Sequence, residues 1–118
     1  MSARGREVPN DGSLTDGDVS IAAAARASRL GATVMATPWT PPPNMKSNDG
    51  TVAGSLNVAS YGAYADHLLA FRDFMQSSGV PLYAISVQNE PDIEVTYESC
   101  DWTAGELGAQ SATTFVSR

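Results

Sequence analysis

Two short apolar runs constrain this chain more than any other feature. They are "TVMAT" at residues 33–37 and "LYAISV" at residues 82–87. Each follows a helix signal closed by glycine, and each runs soon afterwards into proline. The first helix signal is "VSIAAAARASRL", rich in alanine, with Asp16 or Asp18 placed to cap it and Gly31 where a terminating glycine belongs. The second opens near Ser60, a candidate cap. It sets Tyr64, Leu68, Phe71 and Met75 on one face and closes at Gly79. Proline lacks the N–H a ladder needs, so "PWTPPPN" and Pro91 forbid the sheet from continuing. Helix, strand, loop, helix, strand is the order of parallel strands joined by crossover helices, an α/β architecture.

The flanks say less. Residues 9–18 are turn-rich, and Glu7-Val8 reads as a remnant of one further strand. Thr103 and Glu106 have capping-box spacing and open a third helix. The tail "GAQSATTFVSR" fits a helix through Leu107, Ala112, Phe115 and Val116, and fits a strand over "ATTFV" equally well.

With 118 residues the chain has room for one globular domain and a core. Its formal charge of −6, with seven scattered Lys and Arg, argues against nucleic acid as a partner. The single cysteine, Cys100, excludes an intramolecular disulfide and reads as a buried thiol. No apolar run approaches the roughly 18 residues of a membrane span. The opening "MSARGREVPN" lacks the apolar stretch of a secretory leader.

Working residues of parallel α/β proteins gather at the carboxyl ends of strands. One visible end delivers Thr37-Pro38-Trp39, and the other delivers Gln88-Asn89-Glu90-Pro91. A carboxylate half removed from water by neighbouring strand ends is favoured in its neutral form, which suits a proton donor. Asn89 offers an amide to a hydroxyl-rich ligand, and Trp39 offers a flat face on which sugar rings stack. These residues point to carbohydrate. Plainer readings stand beside this one: Glu90 as a solvated loop carboxylate, Trp39 as a loop pin, Asn89 bonding its own turn. His67 reads as a helix-face residue, not a ligand or base. The acidic loop of Asp92, Glu94, Glu98 and Asp101 has no calcium-loop spacing and reads as solvated. Neither metal nor cofactor is expected.

Three stretches carry a resemblance: "TPWTPPPNMK", "YGAYADHLLAFRDFMQSSGVPLYAISVQNEPD" and "YESCDWT". Together they resemble glycoside hydrolase family 30, nearest its xylanase and glucuronoxylanase branch, over roughly residues 19–107. The resemblance implies a (β/α)8 TIM barrel with a small β side domain, of which residues 1–118 hold about the second to fourth strands. The tail from residue 108 resembles the last side-domain strand. Glu90 is implied as general acid/base at the end of the fourth strand, with Asn89 contacting the sugar's 2-hydroxyl. Trp39 is implied at the end of the third strand, lining the subsite of cleavage, with Trp102 as a further substrate contact.

The implied reaction is retaining hydrolysis of β-1,4-xylan or glucuronoxylan, with a polysaccharide as partner and an extracellular setting. It needs a second carboxylate about 5–5.5 Å from the first. In the family that glutamate ends the seventh strand, and no acid of this chain fits its motif. A whole barrel takes about 250 residues. The chain alone is therefore expected to be inactive, with exposed strand edges. Alternatives are a glucosylceramidase-like glycosidase of the same family and a non-catalytic glycan-binding fragment. Pro43-Asn44, where the glucosylceramidase-like branch has Ala-Trp, leans toward xylan.

Overall fold

The computed structural model describes residues 16–116. Helix α1 (Asp16–Arg29) ends where the glycine signal places it. Gly31 takes φ +91°, its N–H donates to Ser28 O, and the Ala32 N–H donates to Ala27 O, both at 3.0 Å. Those returning bonds satisfy carbonyls that the helix end leaves open. Helix α2 (Tyr61–Ser77) ends the same way. Gly79 sits at φ +85°, with Val80 N–H on Met75 O at 2.8 Å. The starts differ from expectation. Asp16 and Asp18 lie within α1, whose preceding residue falls outside the described residues, as does the strand read at Glu7-Val8. Ser60 ends a 3-10 turn (Val58–Ser60), its own N–H engaged with Asn57 O at 2.9 Å, and its hydroxyl makes no capping bond.

Between the helices lie β1 (Met35–Ala36) and β2 (Ala84–Ile85), paired in parallel with Met35 opposite Ala84 and Ala36 opposite Ile85. Tyr83 N–H to Val34 O, 2.9 Å, and Ser86 N–H to Ala36 O, 3.0 Å, extend the ladder at both ends. The strands are shorter than the apolar runs, and β1 is buried on one face only. Ala36 is buried and Val34 and Ile85 pack on the core, whereas Met35 is 56% exposed. Side chains alternate across a strand, and helices cover one face of this two-stranded sheet. The arrangement is a partial α/β unit.

Helix α2 unites the core. Tyr64 and Leu68 pack with Leu56, Val87, Cys100 and Trp102, while Phe71 and Met75 pack with Ala25, Val80 and Val34 beside α1. Tyr64, Leu68 and Met75 are fully buried, each worth about 1.5–3 kcal/mol in transfer from water. The buried Tyr64 hydroxyl donates to Val87 O at 2.9 Å, so the largest fully buried side chain ties α2 to the exit of β2.

The polar loop after β1 is ordered by lacing. Lys46 bridges Leu56 in antiparallel fashion, and Ser99, buried, donates its N–H to Thr51 O at 2.9 Å and accepts from Ala53 N–H. Helix α3 (Ala104–Ser111) opens on the expected capping box: Thr103 N–H to a Glu106 carboxylate oxygen, 2.7 Å, and Glu106 N–H to Thr103 Oγ1, 3.2 Å. Residues Ala112–Val116 continue as a π-helical turn and not as a strand. Buried Gln110 donates to Tyr61 O at 2.9 Å, and the Thr113 and Thr114 hydroxyls bond back to Ala109 O and Gln110 O. A helix is thereby held against α2, and the β-branched residues are used for side-chain back-bonding.

Candidate active site

Parallel pairing brings both strand exits to one edge. Beyond β1 and β2 the chains stay in step, with Asn89 N–H donating to Pro38 O at 2.8 Å. Gln88 fastens them. Its buried side-chain amide nitrogen donates to Trp39 O at 2.6 Å and to Asn89 O at 2.9 Å. Its amide oxygen accepts the Trp102 indole N–H at 3.1 Å. Both N–H donors and the acceptor are used, which a buried amide requires. In the sequence Gln88 reads as one more polar residue after a strand. Its position one residue before Asn89 is the only signal that could have marked it.

Glu90 follows in a left-handed backbone, φ +45°, which costs an ordinary residue about 1–2 kcal/mol. Pro91 disfavours the right-handed helical region for Glu90. Flanking bonds, Asn89 N–H to Pro38 O and Trp102 N–H to Pro91 O at 3.1 Å, hold the turn from both sides. The Tyr97 hydroxyl donates to Glu90 Oε2 at 2.9 Å, and the Tyr97 ring tilts against Trp39 with centroids 5.9 Å apart. Trp39 and Glu90, from different strands, are thus joined through one phenol. Half-burial of Glu90 was expected, and the carboxylate is exposed instead. Among the described residues the sheet has two strands, and Glu90 lies at its open edge.

Asn89 is half-buried at the exit of β2, with its N–H on Pro38 O of the neighbouring exit. Trp102 follows on the loop beyond Glu90. It is 6% exposed and packed with Tyr64 and Leu68, so its place is the core, where its indole N–H orients Gln88. A remaining part of its surface borders an open depression of about 300 Å³ with Pro91, Asp92, Asp101 and Glu106, a lining that includes neither Glu90 nor Trp39.

Other polar groups are structural. Lys46, 1% exposed, donates from Nζ to Ser99 O at 2.7 Å and Thr40 Oγ1 at 2.9 Å. Burial holds its ammonium below the usual lysine range. Cys100 is buried, and burial pushes its thiol up to about 11, which makes it inert at neutral pH. His67 stacks on Tyr64 at 6.0 Å, and burial lowers its pKa, consistent with packing rather than acid-base work. Among the described residues no cluster of three metal-ligating side chains occurs, and no helix is long and apolar enough to cross a membrane.

With this geometry in hand, comparison with known proteins is decisive. No family model matches the chain. A curated relative, the glucuronoxylanase XynC of Bacillus subtilis, is 47% identical over 85 residues, covering 69% of this chain and 20% of the relative. A glycoside hydrolase family 30 subfamily 8 xylanase from Clostridium acetobutylicum superposes with a TM-score of 0.79 at 41% identity, covering 86% of this chain and 27% of that one. The chain is a partial, xylanase-like member of glycoside hydrolase family 30. A second solved structure of the family, an endoxylanase from Clostridium papyrosolvens, gives a TM-score of 0.63 at 40% identity, over 81% of the family 30 chain described here and 25% of its own. This family 30 chain spans about one fifth of the length of the curated glucuronoxylanase it matches.

Proposed function

We propose that this chain carries the acid/base half of a retaining glycoside hydrolase that cleaves glucuronoxylan outside the cell. It is read as a section of a (β/α)8 barrel around the second to fourth strands. The helical tail gives no support to a side-domain strand after residue 108. One observation supports the function most: Glu90 stands at a parallel strand exit, linked through Tyr97 to Trp39 at the neighbouring exit. In the reaction, neutral Glu90 gives its proton to the glycosidic oxygen as the bond to the sugar breaks. A carboxylate from outside this chain takes the sugar as a covalent intermediate. Glu90, now ionised, then draws a proton from the water that releases it. Asn89 is assigned to the sugar's 2-hydroxyl and Trp39 to the ring at the cleavage point.

The isolated chain is inactive in this account, because none of its acids fits the motif of the family's nucleophile. The test is a hybrid in which the chain replaces the matching segment of the Bacillus subtilis glucuronoxylanase. Release of reducing sugar from glucuronoxylan by that hybrid supports the reading. A folded hybrid with no activity, or an isolated chain that hydrolyses xylan in a Glu90-dependent way, contradicts it. The Trp39–Tyr97 aromatic pair also favours a second reading, in which the isolated chain binds xylo-oligosaccharides without turnover.

A further inference from the structure

We propose that Tyr97 is a positioning residue for Glu90 and that it reserves the Oε1 atom of the carboxyl group for proton donation. The inference rests on the acid/base reading above and deepens it. Tyr97 donates its hydroxyl to Glu90 Oε2 at 2.9 Å. A proton carried on Oε2 would meet that O–H head-on, and the phenol would have to turn and accept. A proton on Oε1 meets no such conflict. The neutral acid therefore keeps its proton on the oxygen that faces away from Tyr97, free to reach a glycosidic oxygen.

The phenol is itself held in place from two directions. Its ring lies against Trp39, which arrives from the other strand exit. Two residues further on, Ser99 is buried and fastened by the Lys46 ammonium on its carbonyl, 2.7 Å, and by its N–H on Thr51 O, 2.9 Å. A tether this short leaves the Tyr97 backbone little freedom. Glu90, exposed and on a left-handed turn, lacks burial to fix its rotamer, so the phenol supplies the direction that packing does not. Hydrogen bonding to Glu90, then desolvation, then the Glu90 charge raise the phenol's pKa, so it remains a donor at neutral pH. Glu90 is the titratable group that acts on it.

The contact is tested first in the 118-residue chain itself. Alkaline titration by near-ultraviolet absorbance reports phenol ionisation, and the transition lost in Tyr97→Phe identifies Tyr97. That transition should move to lower pH in Glu90→Gln; an unmoved transition overturns the proposal. In the hybrid enzyme, Tyr97→Phe keeps the ring against Trp39 and should lower kcat about 10- to 100-fold with KM within about twofold, displacing the pH–rate profile. An unchanged kcat and profile would also overturn it. Full activity in the Glu90→Gln hybrid overturns the acid/base reading instead, and the titration of the chain distinguishes that failure from loss of the Tyr97 contact.

Discussion

The Gln88 side chain donates to the main-chain carbonyl of Trp39 at 2.6 Å, locking the exit of one strand to the exit of the other. The same amide accepts from Trp102 in the core, so the site's edge and the hydrophobic interior share one buried residue. Replacing Gln88 with leucine removes the acceptor of the Trp102 indole N–H and the side-chain donor to Trp39 O. The expected loss is about 1–3 kcal/mol for the buried indole N–H deprived of its acceptor. Urea unfolding followed by tryptophan fluorescence measures it, and wild-type stability in Gln88→Leu would contradict the role.

Lys46 performs a similar task with a charge. Lys46→Met fills the volume but strips Ser99 O and Thr40 Oγ1 of their donor. A destabilisation of about 1–3 kcal/mol is expected, together with faster hydrogen exchange in the segment around Ser99.

Cys100 sets a pH dependence with a definite sign. Its folded pKa, about 11, lies above the ordinary value of 9.0, so the folded state holds the thiol proton more tightly than the unfolded chain does. Its contribution is complete below pH 9.0 and is lost as pH rises toward about 11. Burial lowers the Lys46 pKa, and that group has the opposite slope, adding stability as pH climbs toward 10.5. Cys100→Ala should therefore lose stability less steeply than wild type across this window in urea titrations. An identical slope would contradict the buried-thiol account.

The two tryptophans should separate cleanly. Trp39→Ala is expected to weaken xylo-oligosaccharide binding while costing little stability, because the indole is only half-buried at the rim. Trp102→Ala should cost about 3–5 kcal/mol, as for large aromatic residues removed from a core. Calorimetric titration and thermal unfolding of both variants decide the matter, and reversed effects would contradict this division of roles.

Much of this was legible in residue patterns. Gly31 and Gly79 marked helix ends because a left-handed turn favours glycine, and the Thr103–Glu106 spacing marked a helix start for an equally local reason. The face of α2 was legible because Tyr64, Leu68 and Met75 keep helical period. Local patterns say least where tertiary contacts decide. Trp102 has no local mark of burial; the α2 face and Gln88 give it its place. Residues 112–116 suit helix and strand alike in composition, and Gln110 with two threonine hydroxyls binds them into a helical turn. Tyr97 escaped notice because its partners, Glu90 and Trp39, meet it only through the fold.

Glu90 carries the account, and its direct test is glucuronoxylan hydrolysis by the hybrid enzyme with and without Glu90→Gln. Removing a general acid/base should lower kcat about 10²- to 10⁴-fold with the fold intact by circular dichroism. A Glu90→Gln hybrid that hydrolyses glucuronoxylan at the rate of its unsubstituted counterpart would contradict it.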